Sequence, residues 1–198
     1  MSPRSSLRLP PEDLEGFPVH RVGPDQVLAR IHRSDRYAAF YSSDGSGRFD
    51  LSPPQGTCYL REEPLASFVE VFREARVVAE ALVATKALTL LRVREVVTLA
   101  DVAHPRSRQF GVTGEIHTTT AYEATHAWAT AFDRANFGGV RYRVRHDPAQ
   151  DLIGVALFGM AGEGMNKSQL ASVETSPIPT GLVAAAEQRF GIVVLPTP

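Results

Sequence analysis

Short apolar runs separated by polar and glycine-containing segments make up the first half of the chain. Val27 to His32 and Thr57 to Leu60 are short runs of strand-forming character, and weak alternation of apolar and polar residues in the first predicts a short strand. Pro64 then suits the first turn of a helix that begins after the acidic pair of residues 62–63. The apolar positions of this helix follow a 3.6-residue period and predict a buried stripe: Leu65, Phe68, Val69 and Phe72.

The middle of the chain predicts further strands and a longer helix. Thr85 to Val102 is rich in leucine and valine and indicates strands, and Pro105 to Gly114 indicates a polar loop. Thr120 and Glu123 have the spacing of a capping box, which predicts a helix that begins near Thr120 and ends before the glycines at 138–139. Its apolar positions are Ala124, Ala127, Trp128, Ala131, Phe132 and Ala135.

The last third predicts two strands and a final helix. Val140 to Val144 and Leu152 to Phe158 indicate the strands, and Gly159 to Ser176 indicates a loop. Thr180 to Phe190 predicts an amphipathic helix, followed by an apolar run at residues 192–195. The patterns together predict an α+β fold, in which several short strands alternate with about three helices in a single domain.

Length and composition limit the classes of protein to which the chain can belong. The chain of 198 residues is long enough for one domain with a core, expected over residues 21–198, after a polar, proline-containing leader at residues 1–20 that we expect to be mobile. Net charge is −1, which gives no indication of direct nucleic-acid binding, and no apolar run reaches the ~18 residues of a membrane span. Cys58 is the single cysteine, so an internal disulfide is excluded and a cytoplasmic location is expected.

The stretch from residue 29 to residue 72 contains the best candidates for chemistry. Arg30 and Arg48 have guanidinium groups that bind phosphate through paired hydrogen bonds, and Gly45 and Gly47 allow backbone N–H groups to turn toward an anion. The loop lacks the spacing and the Lys-Ser/Thr ending of a P-loop. The alternative is a hairpin turn with a solvated arginine.

Glu70 and Tyr59 are the next candidates. Glu70 flanks the apolar stripe of its helix, so its carboxylate could face a cleft and stabilise an oxocarbenium-like sugar or act as a base. Tyr59 could stack on a flat ring or place its hydroxyl in a polar site. The alternatives are an exposed glutamate paired with a neighbour such as Arg73, and a half-buried strand tyrosine. The histidines and Cys58 show no metal-ligand spacing, so no metal site is predicted.

Taken in order, these motifs resemble the RES domain, a family named for an arginine, a glutamate and a serine. The resemblance covers about residues 27–158. The matching segments are Leu28-Ala29-Arg30-Ile31, Gly47-Arg48-Phe49, Cys58-Tyr59-Leu60, Phe68-Val69-Glu70-Val71-Phe72, Ala127-Trp128-Ala129, Gly139-Val140-Arg141-Tyr142 and Val155-Ala156-Leu157-Phe158.

This resemblance implies an ADP-ribosyltransferase-like fold and an enzyme that consumes NAD⁺ as its substrate. The expected reaction is cleavage of the nicotinamide–ribose bond by phosphorolysis or hydrolysis, with inorganic phosphate as the co-substrate of phosphorolysis and no cofactor or metal. The family also implies a toxin that is neutralised by an antitoxin with a helix-turn-helix part, and it leaves homo-oligomer formation open. Glu70 and Arg30 are the expected catalytic residues; Arg48, Tyr59 and Tyr41 are expected to bind substrate.

One position departs from the family pattern. The family serine normally follows the Gly-hydrophobic-x-Tyr strand, and Val144 occupies that place here. Valine can neither donate nor accept a hydrogen bond, and Ser107 or one of Thr118 to Thr120 is the alternative source of a hydroxyl. Two other functions therefore stay open: an ADP-ribosyltransferase acting on a macromolecule, and a catalytically decayed module that binds NAD⁺ or another nucleotide.

Overall fold

A mixed sheet of eight strands organises the chain, with the helices packed mainly on one face. The computed structural model describes residues 7–73, 75–163 and 169–196. In chain order the strands are β1 (Val19–Val22), β2 (Val27–Arg33), β3 (Phe40–Tyr41), β4 (Gln55–Arg61), β5 (Val77–Ala79), β6 (Lys86–Val93), β7 (Val97–Asp101), β8 (Gly139–Arg143), β9 (Ile153–Met160), β10 (Gly162–Glu163), β11 (Leu170–Pro177) and β12 (Val193–Leu195). The helices are α1 (Pro64–Phe72), α2 (Glu80–Ala84), α3 (Glu115–Thr118), α4 (Glu123–Arg134) and α5 (Thr180–Phe190), with a 3₁₀ helix at Pro105–Phe110.

The strand order of the main sheet is β1-β7-β8-β9-β4-β2-β6-β11. Neighbouring strands are antiparallel except β7 and β8, which are parallel. A parallel pair needs a crossover connection, which here contains the 3₁₀ helix, α3 and α4. Two small sheets, β3 with β10 and β5 with β12, complete the described strands.

The predicted α+β fold is confirmed. Among the described residues three helices have seven residues or more, namely α1, α4 and α5. The leucine- and valine-rich segment at 85–102 forms β6 and β7, and the two strands predicted after residue 139 form β8 and β9. These elements were predictable because each buries a regular apolar face.

The predicted loop from Gly159 to Ser176 is wrong for its second half. Residues 170–177 form β11, which is an edge strand paired only through β6 in the main sheet. Five of its eight residues are exposed, and four are polar, so this edge strand has no regular alternation of apolar and polar residues that would predict it. Residues 164–168 lie outside the described part of the chain.

The predicted capping box at the start of α4 is also wrong. The helix begins at Glu123, and its N-cap Tyr122 makes no side-chain capping bond. Thr119, one residue before the predicted cap, accepts instead from the backbone N–H of Ala121 at 3.1 Å. Local threonine-to-backbone bonds of this kind compete with helix capping.

The core consists of three clusters, two on the helix-bearing face and one on the opposite face. Alternation along the strands divides them: Tyr142 and Phe158 face the cluster under α4, Ala29 and Ile31 face the cluster under α1 and α5, and Cys58 belongs to the opposite face. A boundary therefore runs across the helix-bearing face between α1 and α4. The candidate site lies at this boundary.

Residues 7–18, which precede β1, pack onto the domain. Leu14 and Phe17 are buried in the cluster under α4. Trp128 Nε1–H donates to the carbonyl of Arg8 at 2.8 Å. The apolar residues of this segment are widely spaced among prolines and charged residues, so the sequence has no periodic pattern that predicts the contact. The first six residues lie outside the described part. No helix described is long and apolar enough to cross a membrane.

Candidate active site

A cleft opens where the main sheet is interrupted between β2 and β4. These strands pair only at Ala29 and Arg61, whereas β2–β6 and β4–β9 each pair over seven residues. Ser42 occupies the same edge of β4 further along, through its bridge to Thr57. Between these two pairs, around Tyr59, the edge of β4 has no strand partner among the described residues. The sheet is therefore split at this point.

The cleft has a volume of about 270 Å³ and a lining rich in arginine. One wall is formed by β4 and β8, another by the end of α1, and the rim by the loop at residues 42–48. The lining residues are Arg30, Ile31, Ser42, Ser46, Gly47, Arg48, Tyr59, Arg61, Ser67, Glu70, Val71, Arg73, Tyr122 and Tyr142. One carboxylate thus lies among four guanidinium groups, which favours an anionic ligand.

Glu70 is held by an ion pair that the sequence did not predict. Arg61 Nη2 donates to Glu70 Oε2 at 3.0 Å, and Arg61 Nη1 donates to the carbonyl of Leu60 at 2.7 Å. The Arg61 guanidinium also lies 5.6 Å from the ring centroid of Tyr142. Because its side chain is only 8% exposed, Arg61 is a fixed wall of the cleft and not a mobile surface group.

The second oxygen of Glu70, Oε1, is buried and has no hydrogen-bond partner among the residues that the structure describes. A buried polar atom without a partner costs about 1–3 kcal/mol, and more when it is charged. Burial raises the pKa of Glu70, but the charges of Arg61, His146 and Arg48 outweigh it, so the pKa lies below its ordinary value of 4.5. Glu70 is therefore an ionised carboxylate at neutral pH with one unused acceptor.

Arg48 lies on the rim of the same cleft. Its side chain is buried between α3 and α4: Nη1 donates to the carbonyl of Ile116 at 3.3 Å, and the guanidinium lies 5.7 Å from the ring centroid of Tyr122. Burial lowers the pKa of Arg48, but a guanidinium stays protonated at neutral pH. The Gly-Arg-Phe motif thus places a positive charge near Glu70.

A buried hydrogen-bond network fixes the loop that carries Arg48. The Tyr59 hydroxyl donates to Asp50 Oδ1 at 2.8 Å and accepts from the backbone N–H of Phe49 at 2.8 Å. Asp50 Oδ2 accepts from the backbone N–H of Gly47 at 3.0 Å. A Cβ at Gly47 would overlap both the Asp50 carboxylate and the Tyr59 hydroxyl, so only glycine fits there. Tyr59 lines the cleft with its ring while its hydroxyl is used within the protein.

Arg30 borders the cleft from the other side of the split. It alternates with Ala29 and Ile31, and its Nη1 donates to the carbonyls of Ala38 and Phe40 and to Cys58 Sγ at 2.6, 2.9 and 3.0 Å. Cys58 belongs to the core cluster on the face of the sheet opposite α1. The Arg30 side chain therefore reaches toward the face opposite α1, although Arg30 and Glu70 both line the cleft, and the catalytic role of Arg30 stays a prediction.

The remaining predicted residues lie elsewhere. Tyr41 is buried in the core, donates to Gln169 Oε1 and does not line the cleft. Val144 is fully buried in the cluster under α1, and its place supplies no hydroxyl. The hydroxyls of Ser107 and Thr118 donate to the carbonyls of Val102 and Gly114, outside the cleft.

Several lining residues were missed by sequence reasoning. Arg61 is two residues after Tyr59 on β4, so strand alternation places both on one face, and this signal could have found it. Ser67 is one turn before Glu70 on α1 and supplies a hydroxyl that donates to the carbonyl of Ala29 at 3.1 Å. Tyr122 and Tyr142 come from distant elements, and only the tertiary fold brings them to the cleft.

A split mixed sheet whose cleft holds one carboxylate among arginines has a charge distribution that suits an anionic ligand. The model of the RES domain family matches residues 27–178, and the chain belongs to this family. The fold is similar to that of the MbcT toxin in the crystal structure of the M. tuberculosis MbcT–MbcA toxin–antitoxin complex, with a TM-score of 0.63 and 18% identity over 82% of this chain and 88% of that one. The predicted ADP-ribosyltransferase-like fold is thereby confirmed. No curated protein matches the chain.

Proposed function

We propose that this protein degrades NAD⁺ by cleaving the bond between nicotinamide and ribose. The observation that carries the proposal is the ionised Glu70 with one unused acceptor oxygen, set among Arg48, Arg61 and Arg73 in a cleft of a RES domain. The arginines suit the pyrophosphate of a dinucleotide, and the single carboxylate suits a ribose whose positive charge develops during the reaction.

Cleavage of this bond needs little acid catalysis, because nicotinamide departs as a neutral base. The electron pair of the C–N bond goes to the nicotinamide nitrogen, and the ribosyl carbon acquires oxocarbenium character as it does in glycoside hydrolysis. Oε1 of Glu70 accepts a hydrogen bond from a ribose hydroxyl, and the negative charge stabilises the cationic centre. A phosphate oxygen or a water oxygen then forms the new C–O bond.

The two nucleophiles give different products. Attack by hydrogen phosphate gives ADP-ribose 1″-phosphate, and its proton stays on the ester or passes to solvent. Attack by water gives ADP-ribose, and the surplus proton passes to solvent or to Glu70. Arg73 has an exposed guanidinium at the mouth of the cleft, where it can bring in a phosphate dianion. No step of this mechanism uses a metal or a cofactor.

We further propose that the protein is the toxin of a toxin–antitoxin pair and acts in the cytoplasm. Its family and its likeness to a chain solved within a toxin–antitoxin complex support this role. The partner expected from the family resemblance is an antitoxin with a helix-turn-helix part. The test is expression in a bacterial host, alone and together with a small neighbouring reading frame that encodes a helix-turn-helix pattern. Growth arrest that the co-expressed protein relieves is the expected result, and growth without arrest would refute the toxin role.

Nicotinamide release tests the enzymatic proposal. Purified protein is incubated with NAD⁺, with and without phosphate, and the products are separated by chromatography. Glu70→Gln keeps the side-chain volume but removes the charge, and we expect the rate to fall by about 10²-fold or more. Glu63→Gln changes an exposed glutamate at the N-cap of the same helix and outside the cleft, and it should behave as the wild type. Equal rates for both variants would refute the role of Glu70.

Val144 favours a second candidate, a module that binds NAD⁺ or another nucleotide without turnover. A fully buried valine stands where the family has its serine, so one hydroxyl of the family pattern is missing. Calorimetric binding of NAD⁺ with no release of nicotinamide would support this candidate. Measurable turnover that Arg30→Ala abolishes would exclude it, and labelled ADP-ribose on a macromolecule would indicate a transferase.

A further inference from the structure

A second cleft adjoins the first on the far side of β2. It has a volume of about 410 Å³ and is lined mainly by residues 30–40. Arg30 and Ile31 line both clefts, so the two cavities are neighbours at β2.

The first cleft is small for a whole dinucleotide. Sites for drug-sized ligands usually enclose about 300–1,000 Å³, and the first cleft with its 270 Å³ lies below that range. It can take the nicotinamide riboside half that the reaction needs beside Glu70. The adenosine half must then leave the first cleft, and the adjoining cavity past Arg30 is the larger of the two.

Arg30 is placed for the pyrophosphate that joins the two halves. Its Nη1 is fixed by two main-chain carbonyls and by Cys58 Sγ, which holds the planar guanidinium in one orientation. Within the described residues the hydrogen bonds of Arg30 all start from Nη1, and Nε and Nη2 remain as donors. A guanidinium that is held in this way suits phosphate oxygens, because little side-chain entropy is lost on binding.

The second cleft also exposes two aromatic rings. Tyr37, between β2 and β3, is 66% exposed, and Phe40, the first residue of β3, is 38% exposed. Flat exposed rings beside positive charge are typical of sites that stack a nucleic-acid base. Arg33 and Arg36 are each paired with a carboxylate, but these pairs are exposed and therefore weak.

We propose that the second cleft binds the adenosine half of the dinucleotide, with adenine stacked on Tyr37 and the pyrophosphate at Arg30. The inference rests on the proposed function for the identity of the ligand. Residues 30–40 then contribute to substrate affinity, while the residues around Glu70 take part in bond cleavage. Loss of the Tyr37 ring should therefore weaken binding without changing the reacting groups.

Calorimetry with two probes tests this proposal without any turnover. ADP contains the adenine, its ribose and both phosphates, whereas inorganic pyrophosphate contains the phosphates alone. We expect Tyr37→Ala to weaken ADP binding about ten-fold and to leave pyrophosphate binding within two-fold of the wild type. Tyr37→Phe keeps the ring and should bind ADP as the wild type does. The KM for NAD⁺ should rise by a similar factor in Tyr37→Ala, with kcat unchanged.

Failure of this proposal differs from failure of the proposed function. ADP that does not bind, or that binds wild type and Tyr37→Ala equally, would overturn the adenosine site even if NAD⁺ is cleaved. If NAD⁺ is not cleaved but ADP binding still depends on the Tyr37 ring, the adenosine site stands and the enzymatic proposal falls. Urea unfolding of each variant confirms that the exposed substitution leaves the fold intact.

Discussion

The ion pair between Arg61 and Glu70 leads to a testable prediction about the free energy of unfolding and the activity. Arg61→Met removes the guanidinium but keeps an apolar chain of similar length, so the Glu70 carboxylate loses the donor to Oε2. Its Oε1 already lacks a partner, and the whole carboxylate would then be unpaired in a site where only 21% of its side chain is exposed. The change therefore tests the pair and not the packing of the strand.

The expected loss follows from that burial. Removal of one partner from a buried pair costs about 3–5 kcal/mol, and the partial exposure of Glu70 places the expectation near 3 kcal/mol. A domain with about 5–15 kcal/mol of total stability would lose a large fraction of it, equivalent to roughly 6–12 °C in Tm for a chain of this size. The double variant Arg61→Met with Glu70→Met removes both charges and should recover about 2 kcal/mol or more of that loss.

A double-mutant cycle measured by urea unfolding gives the coupling free energy. The matched control is the exposed pair of Arg33 with Asp35, whose Nη2–Oδ2 distance is 2.7 Å and whose side chains are 60% and 59% exposed. Its coupling should stay below about 1 kcal/mol. A coupling free energy between Arg61 and Glu70 that is no larger than this control would show that Arg61 does not hold Glu70 in place. Nicotinamide release should fall in Arg61→Met, because Glu70 is no longer oriented.

Three further predictions concern the loop and the pH dependence. Gly47→Ala should lower the free energy of unfolding by about 1–3 kcal/mol and reduce activity, because the new Cβ overlaps the Tyr59 hydroxyl. The control is Gly114→Ala, where nothing lies within 4 Å of the added Cβ, and equal losses in urea unfolding would contradict the steric explanation. Burial, together with the charges of Arg143 and Arg48, lowers the pKa of His117 from 6.5 to about 4. The free energy of unfolding should therefore fall by about 3 kcal/mol as the pH is lowered from 6.5 to about 4. His117→Asn should make the free energy of unfolding less dependent on pH in this range, and an unchanged pH dependence would contradict the role of His117. The pKa of Glu70 is lowered in the folded state, so its contribution to stability is present above pH 4.5 and is lost as the pH falls through the folded pKa. Glu70→Gln should therefore lose less stability in acid than the wild type does. Thermal melts over a range of pH measure this difference, and equal losses would contradict the lowered pKa.

Part of the candidate site could be predicted from local sequence because its signals are local. Glu70 flanks the apolar stripe of α1 and does face the cleft, and the glycine loop does carry Arg48 to the rim. Tyr41 shows the limit of such reasoning. Its side chain is buried in the core and does not line the cleft, whereas Arg30 borders the cleft while it donates to main-chain carbonyls and to Cys58 Sγ.

The sequence by itself determined the α+β class, the three main helices and the order of the chemical groups along the chain, because apolar periodicity and short motifs act over a few residues. Only the tertiary structure decided that β2 and β4 meet at one residue pair and leave a cleft between them. It also decided that Arg61 holds Glu70, and that Tyr122 and Tyr142 come from distant elements to line the same cavity. Such contacts depend on how the sheet is paired, and strand pairing joins segments that lie far apart in sequence.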